Sequence, residues 1–375
     1  MAAPANDTEK YFRELLVFGA REPVYGQKPS VPFQALELKD VEATFFTGEQ
    51  VERDVARGYL GANPSDMVKG RTEMSATFDA WMQGADRLDT GAPPPFSHLW
   101  RCCGLAETIT PPGATIAATA EPDGGPAGAF THTLASPYTG VLSRTLTLEC
   151  VSAGGSGTAQ FVLKAPAVYH LPAVDTTGSP QTMTDGTPFA LVGGAAIQPT
   201  VTTAFDVGDR FTLRLRAPGV TYTPVTRRPD AAYIQPFLSE DLHAMPGARG
   251  ALGVNCQAND YLDMPLSLVG LLGPKRSETP PNPDWSAFLT PEPVEYTKTP
   301  WFAIGGRELV MDSFSVENMT GEASLRSKVN QRKVVKPSRD PSGTVTIQAP
   351  RLADVDYYTE IQNSRAREPL SFVHG

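Results

Sequence analysis

The sequence predicts an all-β protein with one short helix packed on a sheet and a small β-sandwich inserted in a loop. Three observations predict it. First, Arg71–Ala80 alternates strictly, with Arg71, Glu73, Ser75, Thr77 and Asp79 on one face and Thr72, Met74, Ala76, Phe78 and Ala80 on the other. Second, the same period-two pattern returns near the end of the chain. Ser313, Ser315 and Glu317 alternate with Phe314 and Val316, and Thr344, Thr346 and Gln348 alternate with Val345 and Ile347. Such alternation marks a strand with one face on a core and one in water. Third, 33 glycines and 35 prolines supply the many turns an all-β chain needs.

Taken in chain order, Thr8–Phe18 suits a short helix or a strand, and Glu22-Pro23-Val24-Tyr25-Gly26 interrupts it. Leu36–Phe46 reads as a strand. Thr47–Lys69 reads as a long polar loop between neighbouring strands, carrying Glu49, Glu52, Arg53, Asp54, Arg57 and Asp66. After Pro93-Pro94-Pro95, apolar Phe96, Leu99, Trp100 and Cys103 fall at helical spacing, and Gly104 stops the helix. Leu142–Cys150 is a strand. Gly154-Gly155-Ser156-Gly157 then opens a Thr-, Pro- and Gly-rich region with several short strands, read as an inserted β-sandwich over residues 151–235. Residues 1–150 and 236–375 form the two parts of the main domain. In the second part, Ala251–Cys256, Leu266–Leu271, Trp301–Ile304 and Arg307–Glu317 read as strands and Arg276–Pro300 as a Pro-rich connector. A charged stretch Leu325–Lys336, a strand Gly343–Ala349 and a helix Val355–Asn363 follow.

The formal charge is −9, from 32 basic and 41 acidic residues, which disfavours tight binding to nucleic acid or to an anionic membrane. No run of 18 apolar residues or secretory leader is read. Cys102, Cys103, Cys150 and Cys256 lack metal-binding spacing and are expected to be reduced and buried. The five histidines are scattered, and no nucleophile elbow, zinc-protease motif or phosphate loop is present. Asp206 and Asp209 read as turn acids, and Asp354 and Asp356 as helix N-terminal acids. The basic residues Lys328, Arg332, Lys333 and Lys336 are not interleaved with aromatics, so they read as a solvated loop or as intersubunit salt-bridge partners. No catalytic residue, metal or cofactor is expected.

Several motifs, in their order, resemble the tail tube (major tail) protein of long-tailed bacteriophages. They are Glu22-Pro23-Val24-Tyr25-Gly26, Glu52-Arg53-Asp54, the alternating strand, and the Pro-led helix ending Cys102-Cys103-Gly104-Leu105. Further on come Gly247-Ala248-Arg249-Gly250, Asp312-Ser313-Phe314-Ser315 and Ser338-Arg339-Asp340-Pro341-Ser342-Gly343. The resemblance spans roughly residues 10–150 and 236–375, and residues 151–235 depart from it. It implies a β-sandwich or barrel with one flanking helix. It also implies homohexameric rings stacked into a tube, whose lumen is lined by Glu73, Ser75, Thr77, Asp79, Ser313, Ser315, Glu317, Thr344 and Thr346. The Thr47–Lys69 loop would reach the next ring, and the insertion would sit outside. Partners implied are other copies of the chain, tape measure, tail terminator and baseplate proteins, and DNA in transit, with no membrane. The location implied is the virion tail, after synthesis in the bacterial cytoplasm. The alternatives are a β-rich carbohydrate-binding or capsid-decorating module, and a β-sandwich hydrolase. The hydrolase would need acids converging in a cleft, which the alternating strands do not supply.

Overall fold

The computed structural model describes residues 15–52, 65–79, 93–110, 117–120, 128–140, 142–169, 171–226, 229–352, 356–362 and 368–374. Two large hydrophobic cores organise them, one for the body and one for the insertion. The body is built from β1 (Leu15–Arg21), β2 (Lys39–Glu52), β3 (Ser65–Asp79), helix α1 (Ser97–Cys102), β4 (Leu105–Thr110), β5 (Gly219–Pro224), β6 (Ala232–Leu238), β7 (Met245–Leu252), β8 (Val254–Gln257), β9 (Asp263–Leu271), β10 (Met311–Glu317) and β11 (Ser342–Ile347). The architecture is all-β, as the period-two pattern predicts.

One antiparallel sheet dominates the body. Its strands run β2–β3–β9 and then meet the continuous stretch β7–β8, which bends at Gly253. From there the sheet branches. β7 passes through β6 to β1, whereas β8 passes through β10 to β11. The inner face of β3 buries Thr72, Met74, Ala76 and Phe78, and β9 adds Met264, Leu266 and Leu268. Helix α1 lies on this face. Phe96, Leu99, Cys102 and Cys103 are buried there, and the Phe96 and Phe78 rings stand 5.1 Å apart. Removing Leu99 from water stabilises the packing by about 2 kcal/mol. Gly104 ends the helix at φ +95°, a backbone conformation that favours glycine. All four cysteines are free and buried.

Two motifs far apart in sequence lock together. The Glu22 carboxylate accepts bonds from the Gly26 and Gly247 amides, each at 2.7 Å. The Arg249 guanidinium stacks on the Tyr25 ring at 4.9 Å and donates to the Val334 and Pro229 carbonyls. The Tyr25 hydroxyl accepts from the Val334 amide at 2.6 Å. Gly247 has φ +64°, and a Cβ there would stand 2.8 Å from the Tyr25 ring, so this position admits only glycine.

His98, on α1, is buried and hydrogen-bonded to the Pro95 backbone, with Nε2 against Gly19. Burial lowers its pKa from 6.5 to about 4, against a smaller opposing effect of that bond. The unfolded chain therefore takes up the proton first. The stability gained by keeping this ring neutral is complete above pH 6.5 and declines as pH falls toward 4. The loss amounts to about 3 kcal/mol. Urea titrations between pH 7 and 4 are expected to show this slope, and His98→Leu is expected to flatten it. The residual slope in that variant belongs in part to His374, whose pKa burial also lowers.

Several expectations are corrected by the structure. The insertion does not span 151–235. β4 and β5 pair from Leu105↔Pro224 to Thr110↔Gly219, forming a ribbon that leads out of the body and back. The chain between them builds its own core from Leu146, Leu148, Phe161, Ile197, Phe205, Phe211 and Leu213. One of its sheets contains Ala117–Ala120, Arg144–Ser152, Gln160–Ala165 and Arg210–Leu215. The other contains Ala129–Ser136, Phe189–Ala190 and Ala196–Thr203. The glycine run at 154–157 is a turn inside this domain, with Gly154 paired to Phe205. Residues 219–224 and 232–238 belong to the body. At the root of the ribbon, the buried Glu107 carboxylate accepts from Arg101 at 3.0 Å and from the Tyr222 hydroxyl at 2.8 Å.

The stretch Thr47–Lys69 is not a loop where it is described. β2 and β3 continue as a paired ribbon, with Glu49↔Val68, Gln50↔Met67, Val51↔Asp66 and Glu52↔Ser65. Both faces of this ribbon are largely in solvent, so no alternation marks it in the sequence. Arg53, Asp54 and Arg57 lie outside the described residues, as do Thr8–Glu14, Ala80, His170 and Asp354. The basic stretch is a hairpin, Ser324–Lys328 with Gln331–Val335. Lys336 is not solvated, because its ammonium donates to the Cys103 and Gly250 carbonyls and to the Thr320 hydroxyl. The last helix, α2, spans Tyr357–Gln362, and Asp356 accepts from the Thr359 amide and hydroxyl at its start.

Candidate functional site

The nine residues singled out on alternating strands fall on one face of one sheet. On β3, Glu73, Ser75, Thr77 and Asp79 stand opposite Val269, Ser267, Pro265 and Asp263 of β9. On β10, Ser313 and Ser315 stand opposite Thr346 and Thr344 of β11, and Glu317 opposite Ser342. Directly opposed residues of an antiparallel pair share a face. The register therefore links both groups into one polar row, Asp79–Asp263–Asn255–Ser315–Thr344, crossing five strands. A parallel row, Gln257–Ser313–Thr346, runs beside it.

Asp263, Asn255, Gln257 and Ser267 were missed by sequence reasoning. β8 is four residues long and follows Gly253, so it carries too little alternation to read. Pro265 masks the alternation of Asp263–Ser267, although a proline inside a strand usually signals an edge. The Pro265 carbonyl accepts from the Gly253 amide at 2.8 Å where the sheet branches. On β2, Glu42 and Thr44 stand opposite Ser75 and Glu73 and extend the face.

The acids on this face are less free than their positions suggest. Arg71 Nε lies 2.5 Å from Glu73 Oε1. Lys39 bridges Asp79 and Asp263, reaching the latter at 3.0 Å. Burial works against the Lys39 charge, but its bonds to Asp79 and Asp263 outweigh that and raise its pKa to about 12. Burial raises the Asp263 pKa, with Asp79 adding to the rise and Lys39 opposing it. Glu317 has no ion-pair partner among the described residues. The face carries shallow grooves, one of about 480 Å³ bordered by Ser75, Thr77, Ala251, Ser267, Glu317 and Asn318.

Among the described residues, no group of three or more His, Cys, Asp or Glu side chains could hold a metal ion. Among the described residues no helix is long and apolar enough to cross a membrane. Of the residues assigned to an inter-ring contact, Glu49, Glu52 and Asp66 sit on the β2–β3 ribbon, and Glu49 pairs with Lys69 at 2.6 Å. No protein-family model matches this chain, and no curated protein matches it in sequence.

Proposed function

We propose that this chain is a structural, non-enzymatic subunit of the tail tube of a long-tailed bacteriophage. Six copies form a ring, rings stack, and the polar face lines the channel through which DNA leaves. The observation that carries this reading is the polar row Asp79–Asp263–Asn255–Ser315–Thr344, which ends on an open strand. Among the described residues nothing pairs with the outer edge of β11 or of β2. Open edges invite pairing with another chain, and closing the sheet through neighbouring copies removes them. A hydroxyl- and amide-rich face on which acids outnumber cations neutralises few phosphates, so DNA slides on it without sticking. Tape measure, tail terminator and baseplate proteins are the partners this role brings, and the virion tail is the location.

Negative-stain microscopy of concentrated protein is expected to show tubes with a central channel. A protein that stays monomeric under all conditions would sink the tube and favour the decorating or carbohydrate-binding module. Glu317→Lys is expected to leave stability within about 0.5 kcal/mol and tubes intact. In assembled virions it is expected to slow DNA ejection, most at low ionic strength, where screening is weak. Glu73→Lys replaces the Arg71 ion pair with a repulsion and costs up to about 1 kcal/mol. Ejection unchanged by both reversals would remove the polar face from DNA passage.

A further inference from the structure

The inserted domain leaves and re-enters the body through one two-stranded ribbon, β4 with β5. Domains tethered in this way swing relative to each other unless something else holds them. The structure supplies a second point of contact. The Tyr169 ring of the insertion meets the Trp301 ring of the body edge-on, with centroids 6.4 Å apart and planes at 80°.

Both rings are held from behind. On the body side, Trp301 opens the strand Trp301–Ile304, which pairs with Leu370–Val373 and sinks Phe302 into the main core. The Trp301 indole donates to the Ser371 hydroxyl at 3.0 Å, which fixes the ring. On the insertion side, Val168 and Leu171 exchange both backbone hydrogen bonds, at 3.1 and 2.9 Å, around a two-residue turn that begins with Tyr169. The buried Arg144 guanidinium donates to the Pro166 and Pro172 carbonyls, one on each side of that turn. Both rings are thus in place before they meet, and docking freezes few rotamers.

Tyr169 is a poor choice for the turn itself. Its φ is +50°, and two-residue turns of this kind favour Asn, Asp or Gly. The residue is 45% exposed and belongs to neither large core. Neither turn geometry nor core packing calls for an aromatic ring here, and the contact with Trp301 does.

We propose that Tyr169 and Trp301 form a reversible latch that holds the inserted domain at one angle to the body. An edge-on pair of rings favours the docked arrangement by about two- to twelvefold. That bias sets the angle without locking it, so the insertion can let go while both cores stay folded. The latch does not depend on the tubular reading.

Spin labels on Val207→Cys in the insertion and Val24→Cys in the body report the angle by pulsed electron resonance, because both valines are exposed and the four native thiols are buried. One dominant distance is expected in the otherwise native chain. Tyr169→Asn suits the turn better and removes the ring. It is expected to lower the ratio of docked to undocked molecules about two- to twelvefold, with no drop in the thermal midpoint of either core. Trp301→Leu is expected to shift the ratio equally, and the double variant no further than either single one. A broad native distribution, a ratio unchanged by Tyr169→Asn, or additive shifts in the double variant would overturn the latch. A lower thermal midpoint in Tyr169→Asn would do so too, by giving the ring a role inside its own domain.

Discussion

Phe78→Asp is expected to unfold the body, whereas Thr77→Asp, one residue away, is expected to leave it folded. Phe78 is buried under α1 against Phe96, and Thr77 faces the open groove. Truncating a buried Phe costs about 3–5 kcal/mol through lost transfer energy and the cavity left behind. An unpaired carboxylate in that cavity adds a desolvation cost, which takes the total past the margin of a typical domain. Thr77 stands opposite Lys39 on β2, so a new carboxylate there meets a cation and its effect stays within about 1 kcal/mol. Circular dichroism and urea denaturation separate the two. If Thr77→Asp unfolded the protein and Phe78→Asp did not, the assignment of wet and dry faces would be inverted.

Two excisions are expected to differ as sharply. Joining Thr110 to Gly219 through a two-residue Asn-Gly turn should give a folded body, because these residues are already opposite each other in the β4–β5 ribbon. Little closure entropy is involved, and the removed chain takes its own core with it. Removing residues 151–235 instead deletes β5 and the first half of β6. It takes away the fully buried Ala232 and Ile234, and strands Leu146, Leu148 and Cys150 without their partners. Losing Ile234 alone costs about 2–5 kcal/mol, so no stable product is expected. Thermal unfolding and limited proteolysis of both variants decide the matter. An unfolded Thr110–Gly219 junction would show that the two cores are not independent, and a folded 151–235 deletion would overturn the boundary drawn at the β4–β5 ribbon.

What the sequence disclosed follows from how each element is buried. β3 was legible because one face is dry and one wet, so Thr72, Met74, Ala76 and Phe78 alternate with polar residues. Helix α1 was legible from its prolines, its apolar stripe and Gly104. The β2–β3 ribbon was not, because a ribbon with both faces in water has no alternation to read. The start of the insertion was hidden for the opposite reason. Arg144–Ser152 buries Leu146, Leu148 and Cys150 as cleanly as any strand of the body, and nothing local says which core receives them. The polar face was half legible. Its ends on β3, β10 and β11 alternate visibly, but its middle rests on Asp263 and Asn255, which only strand pairing brings into line.

The bend at Gly253 sets how the open edge is carried. A Cβ there would meet the Val316 carbonyl and the Pro265 ring at 3.0 Å, tighter than ordinary contact, so a side chain at the branch would push its neighbours by a few tenths of an ångström. Beyond it, β10 joins β8 through a four-residue ladder and buries Phe314 in the core that also holds α1, with Ile347 of β11 packed against the same core. Phe314 is further wedged between the Phe302 and Phe372 rings, at 6.3 and 5.1 Å. The open edge is therefore carried by a seated strand, so a neighbouring strand that pairs with it spends little ordering entropy on this side of the seam.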